Sequence, residues 1–188
     1  MNKYLKNYSL KLNKCLDSLE LIKIQELSND IFLKLKSNKS IVVFGNGGSG
    51  SNAIHIVNDL ITLKKNLNLT KSSVYSLNSN NAVISCIAND FGYDQIFSEQ
   101  IKLQLKKGDL VIPLSGSGNS QNILKAIKTS NKMGIDTFGI FGFDGGRAKK
   151  MCKKYIHLDV NDMQVSEDMQ TIIFHNCCKI IYEKNKNK

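Results

Sequence analysis

The segment Ser40-Ile41-Val42-Val43-Phe44-Gly45-Asn46-Gly47-Gly48-Ser49-Gly50-Ser51 joins an apolar, strand-like run to a loop of small residues. The segment Asp109-Leu110-Val111-Ile112-Pro113-Leu114-Ser115-Gly116-Ser117-Gly118-Asn119-Ser120 has the same design. Small residues at a strand end leave backbone N–H groups open to a ligand, and the following helix adds its positive N-terminal end. Further donors are the hydroxyls of Ser49, Ser115, Ser117 and Ser120. The two loops together predict a pocket for a phosphorylated small molecule.

The rest of the chain alternates predicted strands and helices. Strands are predicted at residues 41–44, 73–77, 110–114, 137–141 and 155–158. Helices are predicted within 4–37 and at 51–63, 80–88, 95–105, 121–133, 145–152 and 167–182. Apolar strands separated by helices are typical of a parallel sheet covered on both faces, which binds ligands at the carboxyl ends of its strands. We therefore expect an α/β fold with N-terminal helices at 1–38, one domain at 39–184 and a disordered tail at 185–188.

Length and composition limit the class of protein. A chain of 188 residues with 41% hydrophobic content fits one domain with its own core. No apolar run is long enough to cross a membrane, and the lysine-dotted N-terminus does not resemble a signal peptide, so we expect a cytoplasmic protein without a membrane partner. The five cysteines form no CxxC pair, which favours reduced thiols over disulfides or a zinc knuckle.

The formal net charge of +10 comes almost entirely from dispersed lysines, with Arg147 the single arginine. A solvated, lysine-rich surface explains this charge, and two alternatives are steering of an anionic substrate and contact with nucleic acid. Nucleic-acid recognition usually requires arginine-rich or aromatic-interleaved patches. Because the chain shows neither, we expect no nucleic-acid partner.

The first loop also has the spacing G-x-G-x-x-G, through Gly45, Gly47 and Gly50. A dinucleotide site would require an acidic residue about 20 positions later to hold the ribose. The corresponding stretch, residues 74–79, contains no acid, and no Gly-Lys-Ser/Thr follows the loop as in a Walker A motif. A compact phosphate site therefore explains the loop better than a nucleotide site.

Two histidines and two carboxylates lie near the loops. His55 and Asp59 are four residues apart on a predicted helix and so share one face, whereas Glu167 and His175 fall on the last helix. These groups suit either a divalent metal or acid–base chemistry. Eight residues of helix rise about 12 Å, too far for Glu167 and His175 to bind one ion. Either Glu167 precedes the regular helix, or different chains complete each site and the protein is an obligate oligomer.

Several separate motifs resemble the SIS (sugar isomerase) domain and, within it, the phosphoheptose isomerases. The motifs are Gly45-Asn46-Gly47-Gly48-Ser49, Ile84-Ser85-Cys86-Ile87-Ala88-Asn89-Asp90-Phe91-Gly92-Tyr93 with Phe97-Ser98, Ser115-x-Ser117-Gly118-Asn119-Ser120, Asp144-Gly145-Gly146, and the positions of His55 and His175. The likeness runs from about residue 40 to the C-terminus. It implies a three-layer, flavodoxin-like α/β/α sandwich with a five-stranded parallel sheet, a homotetramer with sites between subunits, and a divalent metal, often zinc.

The resemblance also implies roles for individual residues. The phosphate would be held by Ser49, Ser115, Ser117 and Ser120, with Asn46 and Asn119 beside it. Asp90 and Glu167 would contact the substrate, and Asp59 and His175 would be the catalytic pair. The metal ligands would be His55, Asp59, Glu167 and His175. The implied reaction converts sedoheptulose 7-phosphate to D-glycero-D-manno-heptose 7-phosphate through an enediol, for surface-polysaccharide synthesis. The alternative is a non-catalytic phosphosugar-binding protein, like the DnaA-initiator-associating proteins.

The chain departs from the family pattern at five positions. Asp59 replaces a glutamate, which shortens the carboxylate by one methylene, and Glu167 replaces a glutamine, which adds a charge. Leu63 and Val165 stand where the family has arginines that meet the substrate, and Gly116 replaces a threonine. The resemblance therefore supports the phosphate pocket more strongly than the catalytic centre.

Overall fold

A parallel sheet of five strands forms the middle layer of the molecule. In this computed structural model, which describes residues 2–186, the strand order is β2-β1-β3-β4-β5. The strands are β1 (Ile41–Gly45), β2 (Val74–Ser76), β3 (Leu110–Ser115), β4 (Asp136–Phe141) and β5 (Lys154–His157). All neighbouring pairs are parallel. The predicted five-stranded parallel sheet is confirmed.

Within residues 2–186, eight helices cover the two faces of this sheet. They are α1 (Lys3–Asp17), α2 (Leu21–Lys36), α3 (Gly47–Asn66), α4 (Asn81–Phe91), α5 (Ser98–Gln104), α6 (Gln121–Lys132), α7 (Gly146–Met151) and α8 (Met163–Asn185), with a 3-10 turn at Tyr93–Gln95. Successive residues of β1 point to opposite faces: Ile41 and Val43 pack with α1, α2, α3 and α8, whereas Val42 and Phe44 pack with α4, α5, α6 and α7. The result is the three-layer α/β/α sandwich.

The N-terminal helices contribute to one of these two cores. Cys15 of α1 and Leu27, Ile31 and Leu35 of α2 are buried in the same cluster as α3 and α8. Of the tail predicted at 185–188, Asn185 ends α8 and Lys186 caps it, and residues 187–188 lie outside the described residues. No helix within residues 2–186 is both long enough and apolar enough to cross a membrane.

Two helices begin earlier than predicted. The sequence places the start of α3 at residue 51, but the helix begins at Gly47, so most of the first glycine-rich loop is the first turn of a helix. Helix α8 begins at Met163, because the Asp162 side chain caps it by accepting a hydrogen bond from the Val165 N–H at 3.3 Å. Glu167 therefore lies within a regular helix. The explanation that it precedes the helix is wrong.

Candidate active site

The first loop presents a helix N-terminus at the carboxyl end of β1. The Gly50 N–H makes the first helical bond, to the Asn46 carbonyl at 3.2 Å, so the N–H groups of Gly47, Gly48 and Ser49 precede the regular ladder. A side chain at Gly45 would collide with the backbone of Ser49, which explains why glycine is needed there. This turn offers amide donors and the positive end of a 20-residue helix.

The hydroxyl of Ser49 is oriented from α8. Its Oγ accepts a hydrogen bond from Gln170 Nε2 at 3.1 Å, and both residues are buried. Because a hydroxyl both donates and accepts, this bond leaves the Ser49 proton to be donated to a ligand.

The second loop is a true loop between β3 and α6. Ser115 Oγ accepts a hydrogen bond from the Gly118 N–H at 3.0 Å, and Ser117 Oγ accepts one from the Asn119 N–H at 3.3 Å. Gly118 has φ +62° and packs against the Gly145 carbonyl, where a side chain would collide. Ser120 precedes α6 and its hydroxyl caps no N–H of that helix. The loop is held internally, which leaves the Ser120 hydroxyl available to a ligand.

The two loops lie side by side. Gly45 of β1 is in register with Leu114 of β3, so the chain leaves both strands at the same edge. Asn46 and Asn122 join the loops through two reciprocal side-chain hydrogen bonds of 2.9 and 2.8 Å. The serines and asparagines predicted to bind phosphate are thus brought to one edge of the sheet, and we call Asn46–Ser49 with Ser115–Ser120 the serine cradle.

Asn119 of the cradle and Asp90 of α4 are two further predicted substrate residues. Asn119 connects the second loop to α7: its Oδ1 accepts from the Arg147 N–H at 3.1 Å, and its Nδ2 donates to the Ser117 carbonyl at 3.1 Å. Asp90, near the end of α4, is exposed and accepts a hydrogen bond from Asn89 at 2.8 Å. A hydrogen bond to this carboxylate raises the pKa of the Cys86 thiol. The Asn119 side chain therefore supports the loop, whereas Asp90 is open to solvent.

Helices α3 and α8 bring His55, Asp59 and His175 together. His55 Nε2 and His175 Nε2 are 3.1 Å apart, and Asp59 Oδ2 lies 3.4 Å from the first and 3.2 Å from the second. Tetrahedral zinc with bonds of about 2.0–2.1 Å separates its ligand atoms by roughly 3.4 Å. Among the described residues, Asp59 Oδ2 is the buried side-chain polar atom that lacks a hydrogen bond. The donor set and the orphaned oxygen both fit a divalent metal, and we call these three residues the triad.

A cavity of about 300 Å³ lies beside the triad, between α3 and α8. Asp59, Leu63, His175 and Cys178 line it. Burial raises the pKa of the Cys178 thiol to about 12, and Cys177 and Asp59 add to the shift. The thiol therefore stays protonated at neutral pH, and the carboxylate and imidazoles are the reactive groups here.

Glu167 lies apart from the triad within this chain. Only three of the four predicted metal ligands are brought together among residues 2–186: His55, Asp59 and His175. The physical reason is the regular geometry of α8, in which Glu167 and His175 are separated by about 12 Å. The Glu167 carboxylate lies against Gly48 in the first turn of α3 instead.

The positions that lack the family's arginines are part of the core. Leu63 is 4% exposed and Val165 is 0% exposed. Sequence reasoning missed Asn122, which links the loops, and Gln170, which orients Ser49. Asn122 could have been found from the sequence, because it lies two residues after Ser120 of the second loop. Gln170 could not, because nothing in the sequence distinguishes it from other polar residues of a helix.

Comparison with known proteins identifies the family. The model of the SIS domain family matches residues 3–142. The chain belongs to the SIS domain family. This match includes α1 and α2, so the N-terminal helices lie within the region that the SIS family shares.

Curated SIS relatives cover most of the chain. It is 32% identical over 169 residues to a probable phosphoheptose isomerase of Thermoplasma acidophilum, covering 89% of this chain and 91% of that protein. It is 34% identical over 149 residues to the phosphoheptose isomerase of Nitratiruptor sp., covering 79% of each. A solved phosphoheptose isomerase from Francisella tularensis superposes with a TM-score of 0.87 at 22% identity, covering 97% of this chain and 96% of that one. That superposition confirms the SIS fold.

Proposed function

We propose that this SIS domain protein is an aldose–ketose isomerase that converts sedoheptulose 7-phosphate to D-glycero-D-manno-heptose 7-phosphate. The relatives named phosphoheptose isomerase support this proposal. The observation that carries it is one helix, α3, with the Ser49 hydroxyl held in its first turn and a carboxylate at Asp59 between two imidazoles. We further propose that the reaction takes place in the cytoplasm and supplies surface-polysaccharide synthesis.

The serine cradle is the proposed phosphate site. The N–H groups of the first turn of α3 and the hydroxyls of Ser49 and Ser120 would donate hydrogen bonds to the phosphate oxygens, while Ser115 and Ser117 hold the second loop in place. Asn46 would contact the bound sugar phosphate beside these groups, and Asp90 would accept hydrogen bonds from sugar hydroxyls. Hydrogen bonds to a charged phosphate are stronger than those between neutral groups.

The reaction requires two proton transfers on the open-chain sugar. Asp59 would take a proton from C1 of the ketose, exchange it with the solvent, and deliver a proton to C2, which passes the substrate through an enediol. His175 would give a proton to O2 and take one from O1, so that no net proton is gained or lost. Imidazole suits this exchange because its charge changes near neutral pH, and each transfer is general acid–base catalysis.

The triad would also hold a divalent metal, which we propose to be zinc. Asp59 has two oxygens, of which Oδ2 faces the imidazoles, so Oδ1 remains for proton transfer. When bound, the metal would polarise the carbonyl as a Lewis acid. The Nε2 lone pair of His175 can serve the metal or a proton but not both, so the metal content of the protein determines which role this residue has.

The cradle and the triad of one chain are too far apart for one heptose. Ser49 and Asp59 are ten residues apart on α3, which corresponds to about 15 Å, longer than an extended seven-carbon chain. We therefore propose that each active site combines the cradle of one subunit with the triad of another, in a homotetramer. Exposed apolar side chains of the N-terminal helices, Tyr4 (82%), Leu5 (58%) and Leu21 (77%), would pack in this assembly.

The proposed function is tested by following the exchange of the hydrogen that isomerisation places on C2 of the sugar. In D₂O, the purified protein should convert sedoheptulose 7-phosphate to an aldose that carries deuterium at C2, detected by proton NMR. Asp59→Asn should bind the substrate without exchange. Binding without turnover by the wild type would show a phosphosugar-binding protein instead of an enzyme, and the absence of both would contradict the proposal.

A further inference from the structure

The Glu167 carboxylate lies against Gly48 of the serine cradle. Both of its oxygens lie where a side chain on Gly48 would be, so that any Cβ at this position would collide with them. Gly48 belongs to the first turn of α3, and its N–H is one of the three that precede the regular helical ladder. A negative charge at a helix N-terminus is electrostatically favourable. The protein therefore places its own anion where the substrate's phosphate is proposed to bind.

A hydrogen-bond network fixes the backbone of Glu167 beside the first turn of α3. Asn52 Nδ2 donates to the Glu167 carbonyl at 2.9 Å and to Gln170 Oε1 at 3.0 Å. Gln170 Nε2 in turn donates to Ser49 Oγ at 3.1 Å. The network connects the backbone beneath the carboxylate to the first turn of α3, and Gln170 is 0% exposed. The carboxylate is thus carried by a rigid helix contact and not by a free surface residue.

We propose that Glu167 determines specificity by competing with the phosphate for the first turn of α3. A carboxylate and a phosphate about 4 Å apart repel each other by about 1 kcal/mol in water and more near a protein surface. A bare phosphate must overcome this repulsion with its contacts to the cradle alone. A phosphosugar also brings hydroxyls, from which the displaced carboxylate accepts hydrogen bonds. Glu167 therefore weakens the binding of inorganic phosphate more than the binding of a phosphosugar.

This inference rests on the proposed function, because it takes the cradle to be the phosphate site. Glu167→Gln keeps the size of the side chain and removes its charge. We expect the Kd for inorganic phosphate, measured by calorimetry at constant ionic strength, to fall by roughly fivefold or more. We expect the KM for sedoheptulose 7-phosphate to change less, because the amide oxygen of the variant is a weaker acceptor for sugar hydroxyls than the carboxylate. A merely structural role would weaken binding of both ligands.

A matched control is the neighbouring carboxylate. Asp168→Asn makes the same change in net charge one residue away, but the Asp168 carboxylate accepts a hydrogen bond from the Tyr8 hydroxyl at 2.5 Å and belongs to the α1 contact. We expect its Kd for phosphate to stay within twofold of the wild type. Glu167→Asp keeps the charge but withdraws it by one methylene from Gly48, and a partial gain in phosphate affinity is expected.

The possible outcomes separate this inference from the function. The proposed competition would be overturned if the Kd for phosphate were unchanged or raised in Glu167→Gln, or if Asp168→Asn gained as much phosphate affinity. Either result would count even if the wild type is an active isomerase. If the wild type binds no phosphate but Glu167→Gln does, the competition is supported. If neither binds phosphate, the competition is wrong. The deuterium experiment on the wild type still decides the isomerase activity by itself.

Discussion

The serine cradle and the triad differ in how many of their polar side-chain atoms find hydrogen-bond partners within one chain. In the cradle, Ser115 and Ser117 accept from loop amides and Ser49 accepts from a buried glutamine. In the triad, three ligand atoms face one another within 3.4 Å, and Asp59 Oδ2 lacks a hydrogen bond. Buried polar atoms are normally paired. The contrast teaches that the fold itself holds the serine hydroxyls of the cradle, whereas the triad needs something from outside the chain.

The largest expected effect is a loss of kcat on a substitution that changes the triad and leaves the cradle intact. Asp59→Asn removes the proton acceptor, and kcat should fall by about a thousandfold, within the range of general-base catalysis. The KM and the affinity for inorganic phosphate should remain close to wild type. Steady-state kinetics and calorimetry measure the two effects, and a kcat within tenfold of the wild type would show that another group is the base.

Metal removal tests whether the triad is completed by an ion. A metal at a hundred times its Kd stabilises the folded protein by about 2.7 kcal/mol, so a chelator should lower Tm by several degrees. The matched control is His55→Ala, which lacks one ligand and should show no chelator effect. Equal shifts in both proteins would place the metal somewhere else, and elemental analysis identifies the ion.

A serine substitution breaks the cradle and spares the triad. Ser120→Ala removes a hydroxyl that caps no N–H of α6, and a hydrogen bond to a charged group contributes about 1.5–3 kcal/mol. The KM should therefore rise at least about tenfold, with a smaller change in kcat. Ser37→Ala, at the far end of α2, is the control and should leave KM unchanged. An unchanged KM in Ser120→Ala would remove this residue from the phosphate site.

The smallest expected effect concerns α8, the helix that carries His175 of the triad. Asp162 caps α8 and pairs with Lys11 at 2.7 Å, and Asp162→Ala should cost about 1 kcal/mol of unfolding free energy, measured in urea at pH 7. Asp162→Asn keeps the cap acceptor and should lose less. The triad's metal affinity should be nearly unchanged in both variants.

The pH dependence of this effect has a definite sign. The hydrogen bond from Lys11 holds the pKa of Asp162 below its ordinary value of 3.8, so its stabilisation is complete above that value and is lost as the pH falls below it. The stability gap between wild type and Asp162→Ala should narrow between pH 7 and pH 3. An equal gap at both pH values would mean that capping alone, and not the charge, accounts for the loss.

The sequence predicted the sheet well because its signals are local. Apolar runs at 41–44 and 110–114 mark the strands, and small residues mark their ends. Helix starts were less predictable, since glycines at 47, 48 and 50 hide the first turn of α3. His55 and Asp59 were predictable from helical spacing. The contact of Glu167 with Gly48 was not, because it depends on the register of α3 against α8, more than a hundred residues apart in the chain.

The packing of α8 on α3 has a consequence for synthesis. His175 lies in α8, so a ribosome must make all of the chain up to this helix before the triad forms. The cradle's strands and loops are complete by residue 120, well before that point. The cradle's loops are therefore made early in synthesis, and the triad is completed only when α8 packs on α3.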